Sequence, residues 1–335
     1  MFYIILLLFQ TKYFCDNKQV FSNRLKKQNK GHPMIQPKGG SEIAFDSLMR
    51  KLSKDDLLGI NLILNDLSPN LLKDQNINIF WNQHSYDQPA VQAYRNSAVL
   101  SNYNYFVYVS NWQYEKYRYF FKIPESRSLV IKNAIEPIEL TEKPNKIRLI
   151  YTSTPWRGLD ILLDAFSILD RDDIELDIYS STIIYGTRFH EKSEGEYEAL
   201  FQRAKNMKNV NYHGYASNED VRKALLESHI FAYPCTFEET SCLSAIEAGM
   251  AGLNLVTTNI GALYETVNAW GRLVSYDSNK TTIAKKFAFA LNRAIDEFWN
   301  KETQQRLQEQ HLYYKKFYSW DSRISEWKNF LSQLK

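Results

Sequence analysis

Two glutamates, Glu239 and Glu247, are the residues of this chain whose spacing most clearly indicates chemistry. Seven residues separate them in the stretch FEETSCLSAIEAGMAG, where a helix is expected to begin. A carboxylate accepts hydrogen bonds through two oxygens, and such charged bonds are roughly twice as strong as neutral ones. Two acids around a helix start therefore suit a ligand that presents sugar hydroxyls. A first-turn acid and a half-exposed helix residue would explain the same spacing equally well.

The helix that carries Glu247 should follow a strand at Ile230–Tyr233 and a turn begun by the next proline. Thr240 and Ser241 are both good N-caps, so the helix is expected to start close to them. Its core-facing stripe would then consist of Leu243, Ile246 and Met250. Glu247 lies beside that stripe, and we expect it to face neither full solvent nor the pure core.

The start of this helix is suited to a diphosphate. The amides of Ser241, Cys242 and Leu243 would lack helical acceptors there, and the helix dipole adds partial positive charge. Glu247 would then accept hydrogen bonds from the vicinal hydroxyls of a ribose, and Glu239 would face the hydroxyls of a sugar. The arrangement predicts a nucleotide-sugar site.

The elements that must hold these residues form two sets along a chain of 335 residues, a length that favours two domains. Short apolar runs alternate with amphipathic stretches, which is typical of parallel α/β sheets. The first set of strands is Phe2–Phe9, Gly59–Leu64, Ile77–Trp81, Tyr105–Ser110 and Ser128–Ile131, with helices at Glu42–Leu52, Ala90–Leu100 and Gln113–Phe121. The second set of strands is Ile147–Tyr151, Ile174–Tyr179, Val210–His213, Ile230–Tyr233 and Leu253–Thr257, with helices at Leu159–Leu169, Tyr197–Lys205, Val221–Glu227 and Leu243–Ala251.

A proline-containing segment, Glu136–Lys146, reads as the linker between the two sets. We therefore expect a first domain over residues 1–140, a second over residues 146–310, and a final helical segment, 311–335, that packs back toward the first domain. Two doubly wound domains of this kind leave a cleft between the carboxyl ends of their sheets, where ligands bind.

Composition and charge describe an ordinary globular protein, with 44% hydrophobic and 24% charged residues. The net charge of +3 gives no basis for a nucleic-acid partner. Three cysteines without metal-ligand spacing favour a reducing compartment, so a cytoplasmic location is expected. No convincing element occurs between Gln10 and Gly39, and the cations of this long loop leave open a contact with an anionic acceptor or a membrane surface.

Several segments, in order, resemble the retaining GT-B glycosyltransferases of glycosyltransferase family 4 (glycosyl transferases group 1). The stretch Pro234–Gly252 resembles the acid-x7-acid motif of that family, and YTSTPWRGLDILLDAF resembles its strand, turn and basic-Gly helix start. The segments VNYHGYAS, TTNIGALYET and PKGGSE resemble further parts of its donor side and its Gly-rich loop. The resemblance implies two Rossmann-like domains that face a central cleft, the first for the acceptor and the second for the donor.

Roles for individual residues follow from the resemblance. It implies that Arg157, followed by Gly158, neutralises the donor phosphates and the leaving nucleoside diphosphate, that Glu239 contacts the transferring sugar, and that Glu247 contacts the ribose. Gly39 and Gly40 would let backbone amides approach the phosphates or the acceptor. His84, after the strand Ile77–Trp81, would touch the sugar or the reaction centre, with Asp87 as a weaker candidate.

Two departures from the family pattern concern the phosphates. Ser241-Cys242 stands where the family often has glycine, and Thr152 stands where a second basic residue is usual. Arg157 is therefore the one clear phosphate cation. No metal is expected, because the single Asp-x-Asp match, Asp170-Arg171-Asp172, reads as a solvated turn, and no cofactor is expected besides the donor.

The aromatic and basic stretch WQYEKYRYFFK, from Trp112 to Lys122, is open to two interpretations. One face would pack on the core while the cations face water. Alternatively, the helix would lie at a membrane interface and bring the first domain to a lipid-linked acceptor.

The function that these features favour is metal-independent transfer of a hexose-type sugar from a nucleotide diphosphate sugar to an acceptor hydroxyl, with retention of configuration. The acceptor would be a glycan, a lipid-linked molecule or a small molecule. Two other functions stay open: a nucleotide-sugar epimerase of the same fold, and a non-catalytic protein that binds nucleotide sugars.

Overall fold

The computed structural model describes residues 39–185 and 187–335 of the chain. The predicted strand Phe2–Phe9 and the loop of residues 10–38 lie outside these ranges. Within them the chain forms two parallel sheets with helices around both, which confirms the predicted α/β class. None of the helices in the described part is both long enough and apolar enough to cross a membrane.

Among the described residues, the first sheet has four parallel strands in chain order, β1 (Ile60–Leu64), β2 (Ile77–Trp81), β3 (Tyr105–Tyr108) and β4 (Ser128–Val130). Three helices accompany it, α1 (Gly40–Lys51), α2 (Ser97–Leu100) and α3 (Asn111–Phe121). The central strands are short apolar runs whose side chains are buried on both faces, as expected for a covered parallel sheet.

The second sheet has six parallel strands in the order β10-β9-β8-β5-β6-β7. The strands are β5 (Ile147–Thr152), β6 (Ile174–Tyr179), β7 (Val210–Tyr212), β8 (Ile230–Tyr233), β9 (Asn254–Thr258) and β10 (Arg272–Val274). The helices are α4 (Leu159–Leu169), α5 (Thr187–Asn206), α6 (Asn218–Glu227), α7 (Leu243–Met250), α8 (Leu263–Val267) and α9 (Lys280–Asp296). Because β6 and β7 lie on one side of β5 and β8 to β10 on the other, the strand order reverses between β5 and β8.

Two further helices, α10 (Lys301–Tyr318) and α11 (Trp320–Ser332), follow the second sheet. Helix α11 lies against the first sheet, where the Trp327 ring contacts the Trp81 ring at 5.0 Å between centroids. Trp320 and Leu331 belong to the same buried cluster. The turn between α10 and α11 is bound to the residue just before the linker, since Ile135 N donates to Tyr318 O at 2.9 Å and Trp320 N donates to Ile135 O at 3.1 Å.

Most predicted elements are confirmed within a few residues, but the prediction of one continuous helix at Ala90–Leu100 is wrong. A 3-10 helix over Pro89–Arg95 is followed by the single turn of α2. Asn96 separates the two, because it leaves the helical conformation and its side chain accepts the Ala98 amide at 3.0 Å. The short elements α8 and β10 were not predicted. The turn Asp170-Arg171-Asp172 has two exposed acids, as expected.

Candidate active site between the two sheets

The reversal of strand order between β5 and β8 places two loops side by side at the carboxyl edge of the second sheet. Arg157 ends the 3-10 turn Pro155–Arg157 that follows β5, and Glu239 lies in the loop that follows β8. A crevice at such a reversal is the usual ligand position of an open parallel sheet. The strand order therefore brings these two side chains together, although they are 82 residues apart in the chain.

Arg157 and Glu239 form an ion pair with 2.8 Å between Arg157 Nη1 and Glu239 Oε1. The same carboxylate oxygen accepts a hydrogen bond of 2.6 Å from the Tyr233 hydroxyl. The Arg157 guanidinium also lies over the Phe237 ring, 4.6 Å from its centroid. Glu239 is buried and Arg157 partly exposed, so the pair has fixed geometry and one open side. Tyr233 and Phe237 were not identified from the sequence.

The turn after Arg157 requires glycine. Gly158 has φ +100°, and a Cβ there would lie 2.0 Å from the Pro234 carbonyl oxygen. The loops after β5 and β8 thus touch backbone to backbone at this point. This contact fixes the start of α4, and with it the position of Arg157.

The start of α7 differs from the prediction. Neither Thr240 nor Ser241 caps the helix, which begins at Leu243 with Cys242 as N-cap. Cys242 has φ +64°, a left-handed conformation that glycine adopts more easily. The predicted caps have other partners, since Thr240 Oγ1 donates to Gln83 O at 2.9 Å and Ser241 O accepts from Thr266 Oγ1 at 2.5 Å. A tertiary hydrogen bond thus takes the Thr240 hydroxyl away from the helix, and another holds the Ser241 backbone ahead of the helix start.

The loop after β9 holds the backbone of Glu239. The Ala262 amide donates to Glu239 O at 2.7 Å. Gly261 has φ +61°, and a Cβ there would lie 2.5 Å from Glu239 N and 2.6 Å from Glu239 O. Glu239 is therefore fixed through its carboxylate by Tyr233 and through its backbone by this loop.

The first sheet contributes the loop after β2. Gln83 accepts the Thr240 hydroxyl through its backbone oxygen, while its side chain forms a reciprocal amide pair with Asn133, with both bonds at 2.8 Å. His84 follows directly, and its backbone oxygen accepts Gln113 Nε2 of α3 at 2.8 Å. Burial lowers the pKa of His84 to about 4, so the imidazole is neutral near pH 7. His84 thus lies beside the Glu239 loop.

Gly39 and Gly40 lie at the start of α1, across the cleft from α7. A Cβ on Gly40 would lie 3.0 Å from Leu243 Cδ1. The two helix starts therefore approach each other, and Leu243 packs against the cores of both domains, so it contacts the second-domain core as predicted and the first domain as well. The other two predicted members of the core-facing stripe, Ile246 and Met250, are buried as expected.

Glu247 lies one turn after Leu243 and is more deeply buried than predicted, with 9% exposure. Its nearest cation is Arg222 of α6, with 3.8 Å between Arg222 Nη1 and Glu247 Oε1. Arg222 also donates to the linker carbonyls of Glu136 and Pro137, both at 2.8 Å. Burial raises the pKa of Glu247 to about 7, against the smaller opposite influence of Arg222.

This raised pKa makes stability depend on pH. Since the pKa of an unperturbed Glu is 4.5, the folded chain binds more protons at Glu247 than the unfolded chain between about pH 4.5 and 7. The free energy of unfolding should therefore fall as the pH rises through that window. At pH 8 we expect Glu247→Gln to be more stable than the wild type by roughly 3 kcal/mol, because the neutral amide does not have to ionise inside the protein. Urea unfolding of both proteins at pH 5 and pH 8 measures it.

Glu219→Gln is the matched control, because Glu219 pairs with Lys223 on the exposed side of α6. We expect this variant to change stability by less than about 0.5 kcal/mol at either pH. An equal pH dependence in wild type and Glu247→Gln would contradict the assignment of the shift to Glu247.

Besides the hydrogen bond between Thr240 and Gln83, a second contact joins the two domains, and it was not predicted. Glu265 of α8 accepts the Asn111 and Trp112 amides at 3.2 and 3.1 Å, so it caps α3 of the first domain. It also pairs with Lys132 at 3.0 Å. The only signal in the sequence was its place in TTNIGALYET.

Among the described residues, no group of three or more His, Cys, Asp and Glu is arranged to hold a metal ion.

Comparison with known proteins starts from the sequence. The profile of the family described as "Glycosyl transferases group 1" matches residues 130–311, which include β5 to β10 and all the second-domain residues named above. Among curated protein sequences, no relative matches the chain.

Solved structures provide the second comparison. A glycosyltransferase from Rickettsia africae ESF-5 superposes with a TM-score of 0.65 at 16% identity, over 92% of this chain and 83% of that one. Sucrose-phosphate synthase from Thermosynechococcus elongatus gives 0.57 at 16% identity, over 78% and 69%. Anabaena Alr3699/HepE, solved in complex with UDP-glucose, gives 0.59 at 14% identity, over 77% and 72%. The likeness at these identities is one of fold, and it confirms the two-domain GT-B architecture.

Proposed function

Since the chain belongs to the glycosyl transferases group 1 family, we propose that it transfers a hexose-type sugar from a nucleoside diphosphate sugar to an acceptor hydroxyl. The observation that carries this proposal is the Arg157–Glu239 pair at 2.8 Å, beside the first amides of α7 and in the crevice where the strand order reverses. A cation, helix amides and a buried carboxylate within one crevice match the phosphates and hydroxyls of such a donor.

The donor would lie along the start of α7. The amides of Ser241, Cys242 and Leu243 would hold the diphosphate, and Arg157 would neutralise the charge that develops on it as the sugar leaves. Glu247, one turn further, would accept the ribose hydroxyls. Glu239, fixed by Tyr233 and the loop after β9, would orient the sugar.

The chemical step would proceed with retention of configuration. The bond between the anomeric carbon and the diphosphate oxygen breaks, and the acceptor oxygen forms its bond on the same face of the sugar. The acceptor proton passes to the departing phosphate oxygen, so the products are the glycoside and the nucleoside diphosphate. In this scheme Arg157 and the helix amides stabilise the leaving group, and neither a metal nor a cofactor is required.

The acceptor would bind to the first domain, near His84 and the glycines at the start of α1. A glycan, a lipid-linked molecule and a small molecule all present a suitable hydroxyl. We keep a cytoplasmic location, with the membrane surface as one site of action, as a prediction of the sequence.

The test is incubation with UDP-, GDP- and ADP-sugars in the presence of a chelator. Release of nucleoside diphosphate together with an α- or β-linked product that keeps the donor configuration supports the proposal. An isomerised sugar would point to an epimerase, and tight binding without turnover to a non-catalytic protein. Turnover that the chelator abolishes would contradict metal independence.

Donor affinity tests the role of Glu247, with UDP as the probe because the Anabaena structure contains UDP-glucose. At pH 8 we expect Glu247→Ala to weaken UDP binding at least about tenfold, because charged hydrogen bonds contribute about 1.5–3 kcal/mol. The wild-type affinity should rise between pH 6 and pH 8 as the carboxylate ionises. Titration calorimetry measures both effects. Unchanged affinity in Glu247→Ala would exclude the ribose contact.

A further inference from the structure

Three aromatic side chains form a surface on the first domain, which we call the aromatic surface: Tyr86, Trp112 and Phe120. The Tyr86 and Phe120 rings stack with centroids 4.5 Å apart and planes 7° apart. Trp112 meets Tyr86 edge-on at 6.1 Å. Phe120 is 39% exposed, and Tyr119 beside it is 69% exposed. Rings this open are not explained by packing of the core.

A lysine lies over this surface. Lys116 Nζ is 5.1 Å from the centre of the Tyr86 ring and 5.5 Å from that of Trp112. No carboxylate of the described chain forms an ion pair with it, whereas Arg118 on the same helix lies near Glu115 at 3.7 Å. A partly exposed ammonium held by rings keeps its charge available to an anion.

The aromatic surface adjoins the candidate active site. The Tyr86 hydroxyl lies close to the Glu238 carboxylate, and Glu238 directly precedes Glu239. Tyr86 also follows His84 by two residues in the loop after β2. The Trp112 amide is held by Glu265 of the second domain at 3.1 Å. The surface therefore lines the cleft on the acceptor side.

The chemistry of this surface fits a sugar ring better than a bilayer. Flat rings cover the apolar C–H face of a saccharide, while carboxylates accept its hydroxyls. Glu238 and Asp87 both lie near the Tyr86 hydroxyl and supply such acceptors. An anionic membrane attracts clusters of several cations, whereas the aromatic surface holds one lysine, Lys116.

We propose that the aromatic surface and Lys116 bind the acceptor, and that this acceptor is a saccharide bearing a carboxylate or a phosphate. This rests on the proposed function, whose acceptor it specifies. The rings pack against the sugar and hold it on the first domain. The carboxylates accept hydrogen bonds from its hydroxyls, and Lys116 forms an ion pair with its anionic group.

Saccharide binding to the full chain tests this inference. The anionic probes are tri-galacturonate, sialyllactose and glucose 6-phosphate, and maltotriose is the neutral probe. We expect at least one anionic probe to bind tenfold more tightly than maltotriose. Lys116→Glu should remove that preference, and Trp112→Ala should weaken binding about fivefold through loss of the ring.

Arg118→Glu is the matched control, because it makes the same charge change on the same helix, two residues from Lys116. It should leave the preference for anionic saccharides intact. Equal effects of the two substitutions, or no binding of any anionic probe, would overturn the proposal. Binding to phosphatidylglycerol vesicles without saccharide binding would instead identify a membrane contact and overturn it too.

The melting temperature with UDP, measured on the same proteins, separates this inference from the proposed function, since a ligand of the native state raises it. A shift with UDP but no saccharide binding would reject the anionic acceptor and leave the transferase proposal standing. Saccharide binding without any nucleotide shift would reject the donor site instead.

Discussion

Gly158→Ala is expected to destabilise the protein and to displace the residues that form the donor half of the site. The added Cβ would lie 2.0 Å from the Pro234 carbonyl oxygen, and φ +100° is itself unfavourable for alanine. The Cβ is attached directly to the backbone and the Pro234 oxygen is itself a backbone atom, so a change of side-chain rotamer cannot relieve the contact. We expect a loss of at least about 3 kcal/mol in the free energy of unfolding, and transfer activity below about 1% of wild type.

Denaturant unfolding and donor turnover measure these effects, and Gly195→Ala is the control. Gly195 lies within α5, where an added Cβ meets no atom within 4 Å. There alanine should stabilise the helix by about 0.5–1 kcal/mol. If Gly158→Ala were as stable and active as Gly195→Ala, the inference that the close contact between the two loops requires glycine would be wrong.

Glu239→Gln is expected to abolish most transfer while the fold survives. The amide keeps an oxygen for the Tyr233 hydroxyl but removes the charge that faces Arg157 and the proposed sugar. We expect kcat to fall about 10²–10³-fold, the range for one electrostatic contact to a reacting group. The melting temperature should change by only a few degrees.

Turnover at saturating donor, together with UDP affinity, checks this expectation. Loss of kcat with UDP affinity nearly retained would support contact of Glu239 with the transferring sugar rather than with the nucleotide. Glu219→Gln, on the exposed side of α6, should leave both quantities unchanged. A Glu239→Gln variant that keeps more than a tenth of wild-type kcat would contradict the role.

The sheets could be predicted because buried parallel strands appear as apolar runs, such as Ile230–Tyr233, and helices as amphipathic stretches. The loops that carry Arg157 and Glu239 could be predicted for the same reason, since both follow such strands. Their ion pair could not, because a contact across 82 residues depends on strand order, which is not a local property.

Local preferences failed where tertiary contacts were stronger. Thr240 and Ser241 are good caps in isolation, yet the Thr240 hydroxyl donates to Gln83 O and the Ser241 backbone oxygen accepts from Thr266. The left-handed Cys242 follows from this, because it must connect a loop held on both sides to the start of α7. Glu265 could not be predicted as a cap of α3 either, since its partners lie in the other domain.

The place of α11 in the chain has a consequence for the order of folding. The second sheet is contiguous from β5 to β10, whereas the described core of the first sheet includes Trp320, Trp327 and Leu331, which are synthesised after it. A chain growing on the ribosome therefore lacks the Trp327 contact on Trp81, and the cover that α11 gives to this face of the first sheet, until α11 emerges. The half of the protein that is made first is the half that is completed last.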